Sequence, residues 1–175
     1  MIARIRIAGR LGILVAVMAL FLLAVAGVGM RGMSSIAAGL KTVYEDRTEP
    51  LVQLGTIERG LFKIRVRVLK MLEQEKINEP LMAEIRAVET TIGKEWKDYS
   101  TTYMDAEEKA LAGKVENGIA AYLAAKDEVL RLLAAGEMEK GRALANGETL
   151  QRFLAADDLV VQDIDLQARV AKQEY

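Results

Sequence analysis

The chain has 175 residues, with 24 Lys+Arg, 25 Asp+Glu, no Cys and no His. Disulfides, thiol nucleophiles, Cys/His zinc sites and imidazole acid–base chemistry are thereby excluded. Arg4, Arg6 and Arg10 take three of the basic groups, leaving 21 against 25 acids in residues 11–175, a surplus of acid that offers no case for nucleic-acid binding.

Leu11 to Met30 is an uncharged stretch, long enough as a helix for the ~30 Å hydrocarbon core of a bilayer. It predicts a transmembrane helix over residues 11–30. The basic residues lie before it and only Arg31 follows closely, so the positive-inside rule puts residues 1–10 in the cytoplasm and residues 31–175 outside it. Ala24-Val25-Ala26 also satisfies an A-x-A cleavage pattern, the mark of a removed signal peptide. The apolar run continuing to Met30, and the helical pattern beyond it, favour an uncleaved anchor. Gly27-Val28-Gly29-Met30-Arg31-Gly32 spells G-x-G-x-x-G, but a dinucleotide fingerprint needs a preceding strand. At the end of a spanning run, small residues that permit close helix packing are the simpler reading.

Beyond the anchor, apolar residues recur at alternating spacings of four and three: Ile36, Leu40, Val43, then Leu54, Ile57, Leu61, Ile64, Val68 and Met71. This heptad seam predicts one long helix with a kink at Pro50. Arg47 falls on the seam, either as a buried polar specificity element or turned outward by the kink. Asn78-Glu79-Pro80 is a break with a capping residue and a proline suited to a first turn. The second helix carries Leu81, Ile85, Val88, Ile92, Trp96, Tyr99 and Tyr103. Asp105-Ala106-Glu107-Glu108 resembles a capping box and opens a third helix with Leu111, Val115, Ile119, Tyr122, Val129 and Leu132, which ends at Ala135-Gly136. A fourth helix starts near Glu137 and carries Leu144, Leu150, Leu154, Val161, Ile164 and Ala168. No segment reads as a strand.

The predicted fold is all-α: an N-terminal transmembrane helix continuing into an up-down-up-down antiparallel four-helix bundle. An even number of helices returns the chain to the membrane, so a second span is expected after Tyr175.

Val43-Tyr44-Glu45-Asp46-Arg47-Thr48-Glu49-Pro50-Leu51-Val52-Gln53-Leu54 resembles the Y-x-D-R and P-L-x-Q-L signature of the four-helix-bundle ligand-binding domain of methyl-accepting chemotaxis proteins. Arg10-Leu11-Gly12, Trp96-Lys97-Asp98-Tyr99 and Ala135-Gly136-Glu137 also fit that family, and the resemblance covers essentially the whole chain. It implies a homodimeric inner-membrane receptor whose sensor is periplasmic. A second transmembrane helix, a HAMP linker and a methylated signalling helix that engages a histidine kinase and a coupling protein would follow. Some histidine kinases and diguanylate cyclases carry the same sensor, so these outputs remain alternatives, as does a membrane-tethered helical interaction module without ligand.

Arg59, Lys63, Arg65, Arg67 and Lys70 crowd one stretch of the first bundle helix, with Arg65 and Arg67 flanking the seam. A guanidinium beside a dimer seam can hold a carboxylate through two hydrogen bonds. In the resembling aspartate and serine receptors, ligands bind at the dimer interface through Arg of the first helix and polar residues of the fourth. The same height on the fourth helix brings Arg142, Asn146 and Thr149 near. The expected site is therefore Arg59, Arg65, Arg67, Asn146 and Thr149, holding a small anionic ligand such as an amino acid or organic acid. Ordinary solvated charge is the competing reading.

Trp96, Tyr99 and Tyr103 share a helical face and read as core packing before ligand stacking. Asp157, Asp158, Asp163 and Asp165 spread round a helix and read as a solvated face, not a cation site. No nucleophile–base set and no cofactor motif is present, so no enzymatic activity and no cofactor are expected. Signalling would proceed by a small sliding of the fourth helix against the first, with Pro50 as a compliant point.

Overall fold

The computed structural model describes residues 7–43, 48–102 and 104–173. Among them are six helices and no strand: α1 (Ile7–Val43), α2 (Glu49–Glu73), α3 (Glu79–Ser100), α4 (Ala106–Ala134), α5 (Met138–Asn146) and α6 (Glu148–Gln173). The chain divides into two compact units, Met1–Val43 and Tyr44–Tyr175.

The first unit is α1. Leu11–Ser34 is long and apolar enough to cross a membrane, its 24 residues rising about 36 Å at ~1.5 Å each. Its large apolar side chains, from Leu11 to Met33, are 46–74% exposed. Ile36, placed on the seam by its spacing, is exposed as well.

The second unit is an all-α four-helix bundle whose fourth arm is made of α5 and α6. In α2 the predicted seam holds: Leu54, Ile57, Leu61, Ile64, Val68 and Met71 are all buried. Pro50 lies in the first turn of α2, where a missing N–H leaves no helical hydrogen bond unmade. It is buried there and does not act as a kink inside a described helix. Leu40, Val43 and the Tyr44–Arg47 part of the family signature fall outside the described side chains.

The helix ends are set locally. The Asn78 side chain accepts from the Leu81 N–H at 3.2 Å and starts α3. Asp105 and Glu108 form a reciprocal capping box at α4, the Glu108 N–H donating to Asp105 at 2.9 Å and the Asp105 N–H to Glu108 at 2.7 Å. Gly136 takes φ +76°, and Glu137 and Gly136 donate back to Leu132 and Leu133, which closes α4 in a Schellman turn. At the end of α2 the same turn uses Glu75, at φ 53°, in place of a glycine.

The fourth arm departs from expectation in two ways. It is broken at Gly147, where a Cβ would lie 2.9 Å from the Ala143 carbonyl oxygen, closer than a side chain tolerates. Its buried face matches the predicted one only in part: Leu144, Leu150 and Ile164 pack against the core as expected. Leu154 and Val161 are exposed, and the most deeply buried positions are Ala145, Thr149, Phe153, Ala156, Val160, Asp163, Leu166 and Gln167. Apolar Phe153, Val160 and Leu166 share the deepest positions with polar Thr149, Asp163 and Gln167, which a hydrophobic pattern passes over.

α2 packs most extensively on α3, α4 on α6, and α2 also lies along α6. The backbones of α3 and α4 lie further apart, and the two helices meet through long side chains such as Lys126 and Glu89. The groove between them is lined by Ile92, Trp96, Ile119 and Leu123.

Candidate ligand site

Five positions were expected to form the site, and the structure disposes them in three directions. Arg65 projects from α2 onto α6, its guanidinium 5.3 Å from the centre of the Phe153 ring. Such a contact contributes about 0.5–2 kcal/mol, more as water is excluded. Phe153 is 3% exposed and meets Phe62 edge-on at 4.9 Å and Tyr122 at 5.4 Å. Arg65 thus forms the charged lip of a buried aromatic cluster. Burial raises the Tyr122 hydroxyl above its ordinary range, against the lowering effect of Arg65, with Glu89 adding to the rise.

Arg67 turns the other way. Its Nε donates to Glu84 of α3 at 2.7 Å and a terminal nitrogen donates to the Lys63 carbonyl at 3.2 Å. Two residues apart on a helix are about 200° apart, so Arg65 and Arg67 cannot converge on one ligand within a single chain. Arg59 is exposed and donates to Thr56 Oγ1 at 3.1 Å.

Thr149 is buried, its hydroxyl donating to the Ala125 carbonyl at 3.5 Å. It lies one turn from Phe153 and belongs to the same cluster. Asn146 is exposed at the last residue of α5. Arg142 is engaged elsewhere, donating to the Leu72 carbonyl at 3.3 Å and to Glu75 at 2.6 Å, where it satisfies the end of α2.

Arg59, Lys63 and Arg65 make no ion pair among the described residues, whereas Arg67 does. They border a second stripe on α2: Val52, Gly55, Arg59, Phe62 and Val66, spaced three and four apart on the face opposite the core seam. Val52, Phe62 and Val66 are 60%, 45% and 57% exposed. An apolar heptad stripe on the outside of a bundle helix is a surface for another helix.

Two functional-looking residues escaped the sequence reading. Lys126 is 3% exposed and donates to Glu89 of α3 and to Asp127, both at 2.5 Å. It occupies the heptad step between Tyr122 and Val129, and that gap in the apolar series was its signal. Asp163 is fully buried, which corrects the solvated reading of that residue. Asp158 and Asp165 are exposed as expected. Asp157 is half-buried, with burial, then Asp158, raising its carboxyl. Tyr99 is fully buried and Trp96 half-buried beside it at 5.4 Å, in keeping with packing; Tyr103 lies outside the described residues.

A family model described as a four helix bundle sensory module for signal transduction matches residues 4–175. The chain belongs to this family of chemotaxis signal-transduction sensors. The family is a sensory module and not a catalytic domain. No curated protein matches the chain.

Proposed function

We propose that the chain is the extracytoplasmic sensor portion of a transmembrane chemoreceptor that binds a small anionic ligand, an amino acid or organic acid, at a homodimer seam formed by α2. The observation that carries this reading is the outer stripe of α2, where Arg59 and Arg65 make no ion pair among the described residues and lie near exposed Val52, Phe62 and Val66. A second copy laid along that stripe covers the apolar side chains and brings two sets of guanidinium groups together. A carboxylate between them gains charge-assisted hydrogen bonds that neither copy supplies alone. Arg67 is held by Glu84 on the α3 side and stays outside this seam, Thr149 is buried one turn from Phe153 beneath Arg65, and Asn146 is exposed at the end of α5.

In this reading residues 1–10 are cytoplasmic, 11–30 span the inner membrane and 31–175 form the periplasmic domain. In the full-length receptor a histidine kinase and a coupling protein receive the signal. Ligand biases a small displacement of α6 against α2, which requires that it bind one helix arrangement better than the other.

The test is calorimetry of the full chain in nanodiscs against a panel of amino acids and dicarboxylic acids, followed by Arg59→Ala and Arg65→Ala. Loss of tenfold or more in affinity for a confirmed ligand is expected from each. Unchanged affinity in both variants removes the site.

A further inference from the structure

α3 and α4 follow one another in the chain, yet their backbones stand apart and a groove runs between them. One stretch of it, about 550 Å³, is lined by Trp96, Met104, Ala112 and Gly113, with Lys97 and Lys109 beside them. The next, about 200 Å³, continues past Trp96 between Ile92, Gly93, Ile119 and Leu123 and reaches Glu89, which Lys126 holds at 2.5 Å. Trp96 and Glu116 border both stretches.

Charge divides this groove into two ends. Lys97 and Lys109 come from different helices, border the same stretch and make no ion pair among the described residues. Two free ammonium groups at one end call for an anion there. Glu116 stands midway with no ion pair of its own among the described residues, and it repels a second negative charge from the apolar stretch. A complementary ligand therefore carries one negative charge at the lysine end and an uncharged body beyond it. From Lys109 to Leu123 is fourteen residues, or about 21 Å of helix at ~1.5 Å each, so that body is elongated. The glycines agree. Gly93 and Gly113 lie inside helices and line the groove, and a Cβ added at either would meet nothing within 4 Å. Glycine is the poorest helix former after proline, and no atom of the chain requires it at these two positions. Their missing side chains leave the floor of the groove open to an occupant.

We propose that the α3–α4 groove binds a medium-chain aliphatic monocarboxylate. The carboxylate lies between Lys97 and Lys109, and the chain covers Met104 and the half-buried Trp96 and runs towards Leu123. Each methylene that the groove takes from water tightens binding about two- to fourfold. The site is formed by α3 and α4 and uses no residue of the α2 seam, so it does not depend on the ligand reading given above.

Trp96 is the sole tryptophan of the chain and reports on the groove directly. The full chain, held in an amphipathic polymer free of tryptophan, is titrated at neutral pH with 8-bromooctanoate, whose bromine quenches indole fluorescence on contact. Saturable quenching is expected, with the corresponding bromo-alcohol and bromo-alkylammonium at least tenfold weaker. Octanoate should displace the quencher about four- to sixteenfold better than hexanoate, two methylenes shorter. Lys97→Ala combined with Lys109→Ala should weaken binding about tenfold. Gly113→Leu, which fills the floor while favouring the helix, should weaken it as much without lowering the melting temperature. Quenching that does not saturate, that is as strong with the alcohol or the ammonium compound, or that is unchanged in both the lysine and the glycine variants overturns the proposal.

Discussion

Gly60 of α2 gives Ile92 of α3 the space that a side chain would take. A Cβ at residue 60 would lie 2.8 Å from Ile92 Cγ1 and 2.9 Å from its Cδ1, with Val88 at 3.3 Å. Gly60→Ala gains about 1 kcal/mol of helix propensity but meets an overpacking cost of about 1–3 kcal/mol against a stiff, β-branched neighbour. Net destabilisation of roughly 1 kcal/mol is expected in urea melts. Gly93→Ala, with nothing within 4 Å of the added methyl, is the control and should stabilise by about 0.5–1 kcal/mol.

The Lys126–Glu89 pair separates a polar from an apolar solution to the same space. Glu89→Ala strips the buried ammonium of one of its two carboxylates and should cost about 2 kcal/mol, less than a fully enclosed pair because Asp127 remains. Lys126→Met keeps the length and removes the charge, and is expected to be neutral or stabilising by about 1 kcal/mol. Thermal denaturation of the two variants at neutral pH checks the order. A Lys126→Met protein less stable than Glu89→Ala would contradict it.

Asp163 gives stability a pH signature. Its carboxyl is raised from 3.8 to about 6 in the folded chain, so the native state holds a proton the unfolded chain has released. That contribution is complete below about pH 4 and is lost as pH rises through about 6. Asp163→Asn, an uncharged isostere able to donate and accept, should therefore be more stable than the parent at pH 7, by about 2 kcal/mol after allowance for screening, and no more stable at pH 4. Urea midpoints of both proteins at four pH values measure the difference directly, which cancels the background of other carboxylates.

Removal of the α4 cap is the local counterpart. Asp105→Ala frees the Glu108 N–H and leaves the reciprocal bond one-sided. A loss of about 1 kcal/mol is expected, with faster amide exchange confined to the first turn of α4.

Signals carried by a few adjacent residues were legible in the sequence. Asn78, the Asp105–Glu108 box and Gly136 each determine a helix end through hydrogen bonds within six residues, and all three act as their residue types require. The α2 seam was legible for a related reason, because six large apolar residues repeat without interruption. The buried face of α6 was legible only in part, since Thr149, Asp163 and Gln167 occupy core positions and a pattern of hydrophobicity reads them as gaps. Their burial depends on partners far along the chain, Ala125 for Thr149 and Tyr99 for both others. The cluster of arginines on α2 was visible, but not its division between Phe153 and Glu84, which needs the neighbouring helices in place.

The interruption at Gly147 has a mechanical meaning. A helix transmits an axial load through its hydrogen-bonded turns, and its stiffness is only that of its least regular segment. Between α5 and α6 that segment is a single residue whose backbone excludes a side chain. α5 remains lodged against α4 and α2, where a Cβ on Gly141 would already touch Leu132 and Leu72. The last arm of the bundle is therefore an anchored block followed by a rod, with its compliance concentrated at one joint.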